Sequence, residues 1–266
     1  MSYSVALTPY LNNRSFFYHS PIENCELVQI SPCETIKALK EGDVHAGVVP
    51  VAGLSQLGDQ FELIGNFGIA SEGPVQSVLF LSRIPFETFT TTSVVKLSSD
   101  SITSNNLLGL LFGYQHGFDN LPRSACGLKN YDGELLIGDR ALNKRWQGGR
   151  NLYVMDLSSQ WTLCQQLPFV FARWVVNKTA LVKFRTDLKQ WLTSFVEIET
   201  DLHRITAERE AHLYRMTYGQ AMDYLLGIRT GIGVRERAGQ TRFLSELKKH
   251  QPVFYQSNRQ LLKQSA

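Results

Sequence analysis

The chain has 266 residues, 43% of them hydrophobic and 19% charged, with a formal net charge of +3. That length holds one large domain or two small ones around a substantial core, and the composition is that of an ordinary globular protein. So small a balance excludes recognition of nucleic acid by bulk charge, and the densest basic stretch, Lys248-Lys249-His250, reads as a solvated helix face. An anionic small molecule is the partner it suits.

No run of about 18 uninterrupted apolar residues occurs, and the opening MSYSVALTPYLNNRS has neither a basic n-region nor an apolar h-region. The expectation is a cytoplasmic protein without a membrane partner, its oligomeric state left open. Cys25, Cys33, Cys126 and Cys164 are scattered, with no CxxC pair and no nearby His at ligand spacing. Four reduced thiols are expected, rather than a metal site or a disulfide framework.

In chain order, Tyr3–Leu7 reads as a strand, Tyr10–Arg14 as a polar turn and Leu27–Ile30 as a second apolar run. SPCETIKALKEGD then follows helix-start chemistry, with Ser31 as N-cap, Pro32 at the first helical position and Glu34 completing a capping box. Ile36 and Leu39 face inward, and Gly42 ends the helix. Ala46–Val49 follows as a buried strand, so the order strand, helix, strand predicts a parallel pair with a crossover helix. Phe67–Ala70 and Val75–Leu81 extend the pattern around a bend at Gly73-Pro74.

Thr91–Leu97 is the next expected strand. It leads into SSDSITSNNLLGLLFG, where the hydroxyls of Ser98, Ser99, Ser101, Thr103 and Ser104 precede an expected helix over Asn105–Phe112. One side-chain oxygen is enough to cap a helix. The surplus is either solvated turn chemistry or the lining of an anion site, since a helix N-terminus offers free N–H groups and a partial positive charge. Residues 113–133 read as a long connection. Glu134–Ile137 is then a strand, Asp139–Trp146 a helix, Leu152–Met155 a strand, and Asp156 caps a helix running to Cys164. Pro168–Asn177 is a strong strand, and from Thr179 to about His250 helical periodicity is almost continuous, interrupted by Gly227, Gly231 and Gly233.

This is an α/β chain with a helical C-terminal third. Such a chain folds either as one doubly wound sheet or as two smaller lobes; in the second case Val75–Arg83 and Pro168–Asn177 are the candidate crossings, with residues 1–83 and 173–266 forming one discontinuous lobe and residues 84–172 the other. Ligands of α/β proteins gather at the carboxyl ends of strands and between lobes.

YLN (Tyr10-Leu11-Asn12), GPVQSV (Gly73–Val78), SITS (Ser101–Ser104), LLIGDRAL (Leu135–Leu142), DLSSQW (Asp156–Trp161) and LPFVFARW (Leu167–Trp174) stand in the order seen in MqnA-type chorismate dehydratases. The chain resembles that family, which serves the futalosine route to menaquinone, over nearly its whole length. The closing YLLGIRTGIGVRERAGQTRFL is similar to the family's last helices. The resemblance implies a two-lobed α/β fold, periplasmic-binding-protein-like of type II, with a ligand cleft between the lobes. It also implies a carbon–oxygen lyase (hydro-lyase) that removes water from chorismate to give 3-[(1-carboxyvinyl)oxy]benzoate, with no metal or organic cofactor. Two alternatives remain: a 1,4-dihydroxy-6-naphthoate synthase-like enzyme, and a non-catalytic cytosolic binding protein for an aromatic carboxylate.

Chorismate is a dicarboxylate with a ring hydroxyl, so its site must grip carboxylates, orient one ring proton and help hydroxide leave. Positioning and hydrogen bonding carry much of such a reaction. Asn12, in the YLN motif, is the first candidate catalytic residue; its alternative role is a turn or cap. Ser77 is the second, and otherwise bonds strand backbone. Ser101, Thr103 and Ser104 are the candidate carboxylate grip. Asp139 either faces the cleft or caps the helix that follows it. Arg14, Arg83, Arg140 and Arg173 are available to pair with carboxylates, while His19, His45 and His116 are isolated. No Ser-His-Asp context and no glycine-rich phosphate loop is present.

Overall fold

The computed structural model describes residues 2–125, 130–147 and 152–256. Numbered along the chain, β1 (Tyr3–Leu7), α1 (Leu11–Arg14), β2 (Cys25–Gln29), α2 (Pro32–Glu41), β3 (Ala46–Pro50) and β4 (Phe61–Ser71) begin a first lobe. β5 (Val78–Ser82), β6 (Val94–Lys96), α3 (Ile102–His116), β7 (Arg123–Ser124), β8 (Gly133–Ile137), α4 (Gly138–Gln147), β9 (Tyr153–Asp156) and α5 (Leu157–Gln165) make the second. β10 (Phe169–Asn177) returns to the first sheet. It is followed by α6 (Val182–Glu197), α7 (Glu199–Glu210), α8 (Tyr218–Leu226), β11 (Arg229–Gly231) and α9 (Val234–His250), and β12 (Tyr255–Gln256) rejoins the second sheet.

The first sheet has the order β11-β4-β10-β3-β1-β2, the second β12-β7-β6-β8-β5-β9. β1 pairs in parallel with both β2 and β3, so the strands joined by α2 are parallel but have β1 between them. β10 runs antiparallel to β3 and to β4. Ser31 stands at the N-cap of α2 as expected, yet its hydroxyl donates to the Glu34 carboxylate and the backbone half of the capping box is not formed. Gly42 closes α2 at a φ of 82°, a left-handed conformation that glycine adopts without a Cβ penalty.

Several expected bounds shift. Tyr10–Arg14 is not a bare turn, because Leu11–Arg14 is helical. β6 is only Val94–Lys96, and α3 starts at Ile102 rather than Asn105, which moves Thr103 and Ser104 into its first turn. The helical C-terminal third is broken by β11, where Gly227, Gly231 and Gly233 cluster. β5 pairs with β8 and β9, and all of β10 belongs to the first sheet. Sheet membership therefore puts the crossings at residues 72–77 and 166–168, earlier in the chain than the segments expected to cross, which they overlap only at 75–77 and 168, and not at 83/84 and 172/173. Both strands are apolar on either side of those points, so the sequence carries no mark of which sheet they enter.

The largest hydrophobic core joins the lobes: Leu11, Val51 and Ala70 of one pack with Phe80, Leu107, Leu135 and Trp161 of the other. A second core, with Phe16, Trp174, Trp191 and Phe195, fixes α6 on the first sheet. The crossing at 72–77 is pinned by Asp156. Its carboxylate caps α5 by accepting from Ser159 N (3.1 Å), as the sequence predicts, and also accepts from Val75 N (3.2 Å) and Gln76 N (2.7 Å). Hydrogen bonds to a charged acceptor contribute about 1.5–3 kcal/mol each. Asp156→Ala is therefore expected to destabilise the protein by about 3 kcal/mol or more, read as a lower urea midpoint, and Asp156→Asn by less.

The C-terminal segment forms a third link. Tyr114 of α3 donates to Glu246 of α9 (3.0 Å), His250 stacks on Phe118 at 3.7 Å, and β12 pairs with β7. Cys25, Cys33 and Cys164 are free thiols, and Cys126 lies outside the described residues. Among the described residues no helix is long and apolar enough to cross a membrane, and no group of three His, Cys, Asp or Glu side chains is placed to hold a metal.

Candidate active site

Between the sheets lies a cleft of about 610 Å³, part of it open to solvent. Its apolar walls include Val48, Ile69, Val75, Ile137 and Phe171, and its polar groups are Thr8, Tyr10, Asn12, Ser77, Ser101 and Ser104. No Asp, Glu, Lys, Arg or His is among the described residues that line it.

Asn12 reaches the cleft because α1 is held at both ends. Asn-rich four-residue helices have little stability of their own. At the start of α1 the Leu11 N–H donates to Asp139 Oδ1 of the second lobe (3.1 Å). At its end Arg14 Nε donates to both oxygens of buried Glu210 (2.9 and 2.7 Å), which also accepts from the Tyr18 phenol (2.6 Å). Asn13 points inward, its amide donating to the carbonyl and the hydroxyl oxygen of Thr8. Asn12 has a contact of 3.4 Å from its Nδ2 to Asn13 Oδ1 and otherwise faces the cleft.

Ser77 follows the bend at Gly73-Pro74 and is 6% exposed. Its N–H donates to Val75 O (2.8 Å), its carbonyl accepts from Gly138 N (2.8 Å), and its hydroxyl shares a hydrogen bond with the buried Tyr224 phenol. Burial holds the Tyr224 pKa well above the usual phenol value.

The hydroxyl-rich approach to α3 divides its labour. Ser98 and Ser99 fold the loop: the Ser98 hydroxyl accepts from Asp100 N and the Ser99 hydroxyl donates to the Asp100 carboxylate. Ser101 is the N-cap, accepting from Ser104 N (3.1 Å) and donating to the Ser104 hydroxyl (2.9 Å), and both serines line the cleft. Thr103 does not join them. It is 1% exposed and its hydroxyl accepts from Ala52 N (3.1 Å), a strut between the lobes. On a helix, residues adjacent in sequence point to different faces, so Thr103 turns inward when Ser101 and Ser104 face the cleft.

Asp139 takes neither role weighed for it. α4 begins at Gly138, so Asp139 lies inside its first turn rather than at the N-cap, and its carboxylate is spent on Leu11 rather than turned into the cleft. Burial pushes its pKa up to about 6, opposed by the Leu11 hydrogen bond and Arg14 and assisted by Glu210. None of the four candidate arginines lines the cleft. Arg14 is paired with Glu210 and Arg140 with Glu134 (3.5 Å), while Arg173 donates to the carbonyls of Phe67 and Gly65 and to Gln240. Arg83 lines a separate groove on the second lobe. His19, His45 and His116 bond to neighbouring groups away from the cleft.

Sequence reasoning missed Thr8 and Tyr10. Tyr10 belongs to the YLN motif, which was the available signal. Its ring lies on Gly138, and burial, then Asp100 and Asp139, raise its pKa, so the phenol stays a neutral donor. Held together, these groups offer an anion neutral hydroxyl, phenol and amide donors beside the N-terminus of the 15-residue α3.

Two solved structures that share its architecture are 9% and 13% identical to the chain. The alkanesulfonate-binding protein of Xanthomonas axonopodis pv. citri, bound to MOPS, superposes with a TM-score of 0.67 at 9% identity, covering 94% of this chain and 93% of that one. The periplasmic aliphatic sulphonate-binding protein of Escherichia coli gives a TM-score of 0.67 at 13% identity, covering 95% and 88%. The fold is thus the two-lobed, periplasmic-binding-protein-like α/β fold. A chorismate dehydratase of Thermus thermophilus is 28% identical over 194 residues, which is 66% of this chain and 70% of that protein. The sequence profile of the family described as menaquinone biosynthesis matches residues 3–249, and the chain belongs to that family.

Proposed function

We propose that this protein is a carbon–oxygen lyase that removes water from chorismate, giving 3-[(1-carboxyvinyl)oxy]benzoate. Family membership and the Thermus thermophilus relative support the substrate. The observation that supports the chemistry is a cleft lined by Asn12, Ser77, Ser101 and Ser104 with no ionised side chain among its described lining residues.

The elimination breaks two bonds. The C–H bond at the ring carbon bearing the enolpyruvyl ether gives its electron pair to a new ring double bond, the neighbouring C–O bond breaks, and hydroxide leaves with a proton as water. The ring becomes aromatic, which drives the reaction. What the protein must add is orientation and donors aimed at the groups that change charge. Ser101, Ser104 and the start of α3 grip a carboxylate. Asn12, able to donate and accept, orients the leaving hydroxyl, and Ser77 fixes the ring. Neutral walls favour this, because a lysine or arginine would hold ground state and transition state alike, which lowers KM without raising kcat.

Incubation of the protein with chorismate, with chromatography and mass detection, is expected to yield an acid one water lighter. Ser104→Ala is expected to raise KM about tenfold with kcat nearly unchanged, the loss of one hydrogen bond to a charged group. A second reading, a binding protein for an aromatic carboxylate, is favoured by the lack of an ionised side chain among the described residues of the cleft wall. It predicts thermal stabilisation by chorismate with the ligand recovered intact.

A further inference from the structure

Gly138 and Asp139, consecutive residues of the second lobe, hold both candidate catalytic segments. The Gly138 N–H donates to the carbonyl of Ser77, and Asp139 Oδ1 accepts from the N–H of Leu11, the residue before Asn12. The Tyr10 ring, one residue earlier, rests on Gly138. The Asp139 bond links positions 128 residues apart and crosses from the second lobe to the first. Asn12 has no comparable tie through its own side chain, so its place depends on where α1 is docked.

We propose that Asp139 is a positioning residue, a clasp between the lobes that docks the start of α1 and so sets Asn12 against the substrate. The carboxylate does not touch the cleft, so it acts through Leu11 and not on the reacting atoms. The role for the reaction rests on the chorismate reading; the clasp itself does not.

The groups facing Asp139 are Tyr10 and Arg14 at either end of α1, Glu210 at the end of α7, and Tyr214 and Tyr224 around α8. Arg14 is held by Glu210, so α1 has one anchor per end, and losing Asp139 frees the end next to Asn12. A carboxyl group keeps a carbonyl acceptor when it is protonated. Docking therefore survives protonation and weakens only by the lost charge. As pH falls through about 6, where Asp139 gains its proton, activity declines a few-fold at most.

The test compares Asp139→Ala and Asp139→Asn with the wild-type protein. Amide exchange is measured at residues 11–14 without ligand, and kcat and KM are measured with chorismate. Asp139→Ala is expected to speed exchange at residues 11–14 while core amides stay protected, and to lower kcat about 30-fold or more. Asp139→Asn retains an acceptor oxygen and is expected to restore both exchange protection and most of kcat, with the shallow acid limb near pH 6 removed. The clasp is overturned by wild-type exchange in Asp139→Ala. It is equally overturned if Asp139→Asn is as inactive as Asp139→Ala, the mark of a group that must take a proton. If wild-type protein leaves chorismate intact, the substrate assignment fails, and the exchange data still decide the clasp.

Discussion

Replacing Gly138 by alanine is expected to lower kcat/KM for chorismate about 100-fold or more and to lower the unfolding temperature in the same preparation. Gly138 has a φ of 59°, where an L side chain costs about 1–2 kcal/mol. A Cβ at that position would lie 2.6 Å from Cδ1 and Cε1 of Tyr10 and 2.9 Å from Cγ. Those atoms form the body of the ring and not a flexible tip, so Tyr10 must shift as a unit. Asn12 is two residues further on, and the Gly138 N–H that holds Ser77 is disturbed at the same time. A misplacement of about 1 Å at a reacting group can cost about 100-fold in rate. Steady-state kinetics and calorimetry check this; wild-type kcat/KM in Gly138→Ala would show that Tyr10 does not set the site.

Asn12→Ala is expected to lower kcat by about 100- to 1,000-fold, the range for loss of one donor aimed at developing charge, and to leave the unfolding temperature almost unchanged. The reason is its neighbours. Leu11 is tied to Asp139, Asn13 to Thr8 and Arg14 to Glu210, so α1 stays anchored without the Asn12 amide. Asn13→Ala is the contrasting variant. Asn13 is 1% exposed, and its loss leaves Thr8 without its partner in a buried setting, which costs about 1–3 kcal/mol of stability. The two adjacent asparagines are thus expected to separate chemistry from scaffold, with kcat and unfolding temperature as the two readouts.

How much of this was legible beforehand follows from the range of each interaction. β1, β3, α2 and the Asp156 cap were readable because their determinants are local: a short apolar run, a Pro at the first helical turn, an acceptor before a helix. The two-lobed α/β architecture followed from element order and from six motifs in sequence. β11 and β12, three and two residues long, carry no periodicity to detect. The hydroxyls before α3 announced an unusual helix start, but the phase of the helix decides that Ser101 and Ser104 face the cleft while Thr103 bonds Ala52, 51 residues away. Asp139 looked like a local cap because caps are local; its actual partner lies 128 residues distant and on the other lobe. Tyr10 was missed for the same reason, although its motif marked it: the ring rests on Gly138, on the other lobe.

The proposed reaction eliminates water across two particular ring carbons of chorismate. The most direct measurement is a proton NMR time course on chorismate carrying deuterium at the ring carbon that bears the enolpyruvyl ether. Aromatic signals are expected to grow as chorismate disappears, with 3-[(1-carboxyvinyl)oxy]benzoate free of deuterium and far slower change with Asn12→Ala. Chorismate that persists unchanged while it raises the unfolding temperature, or a product that keeps the deuterium, would contradict it.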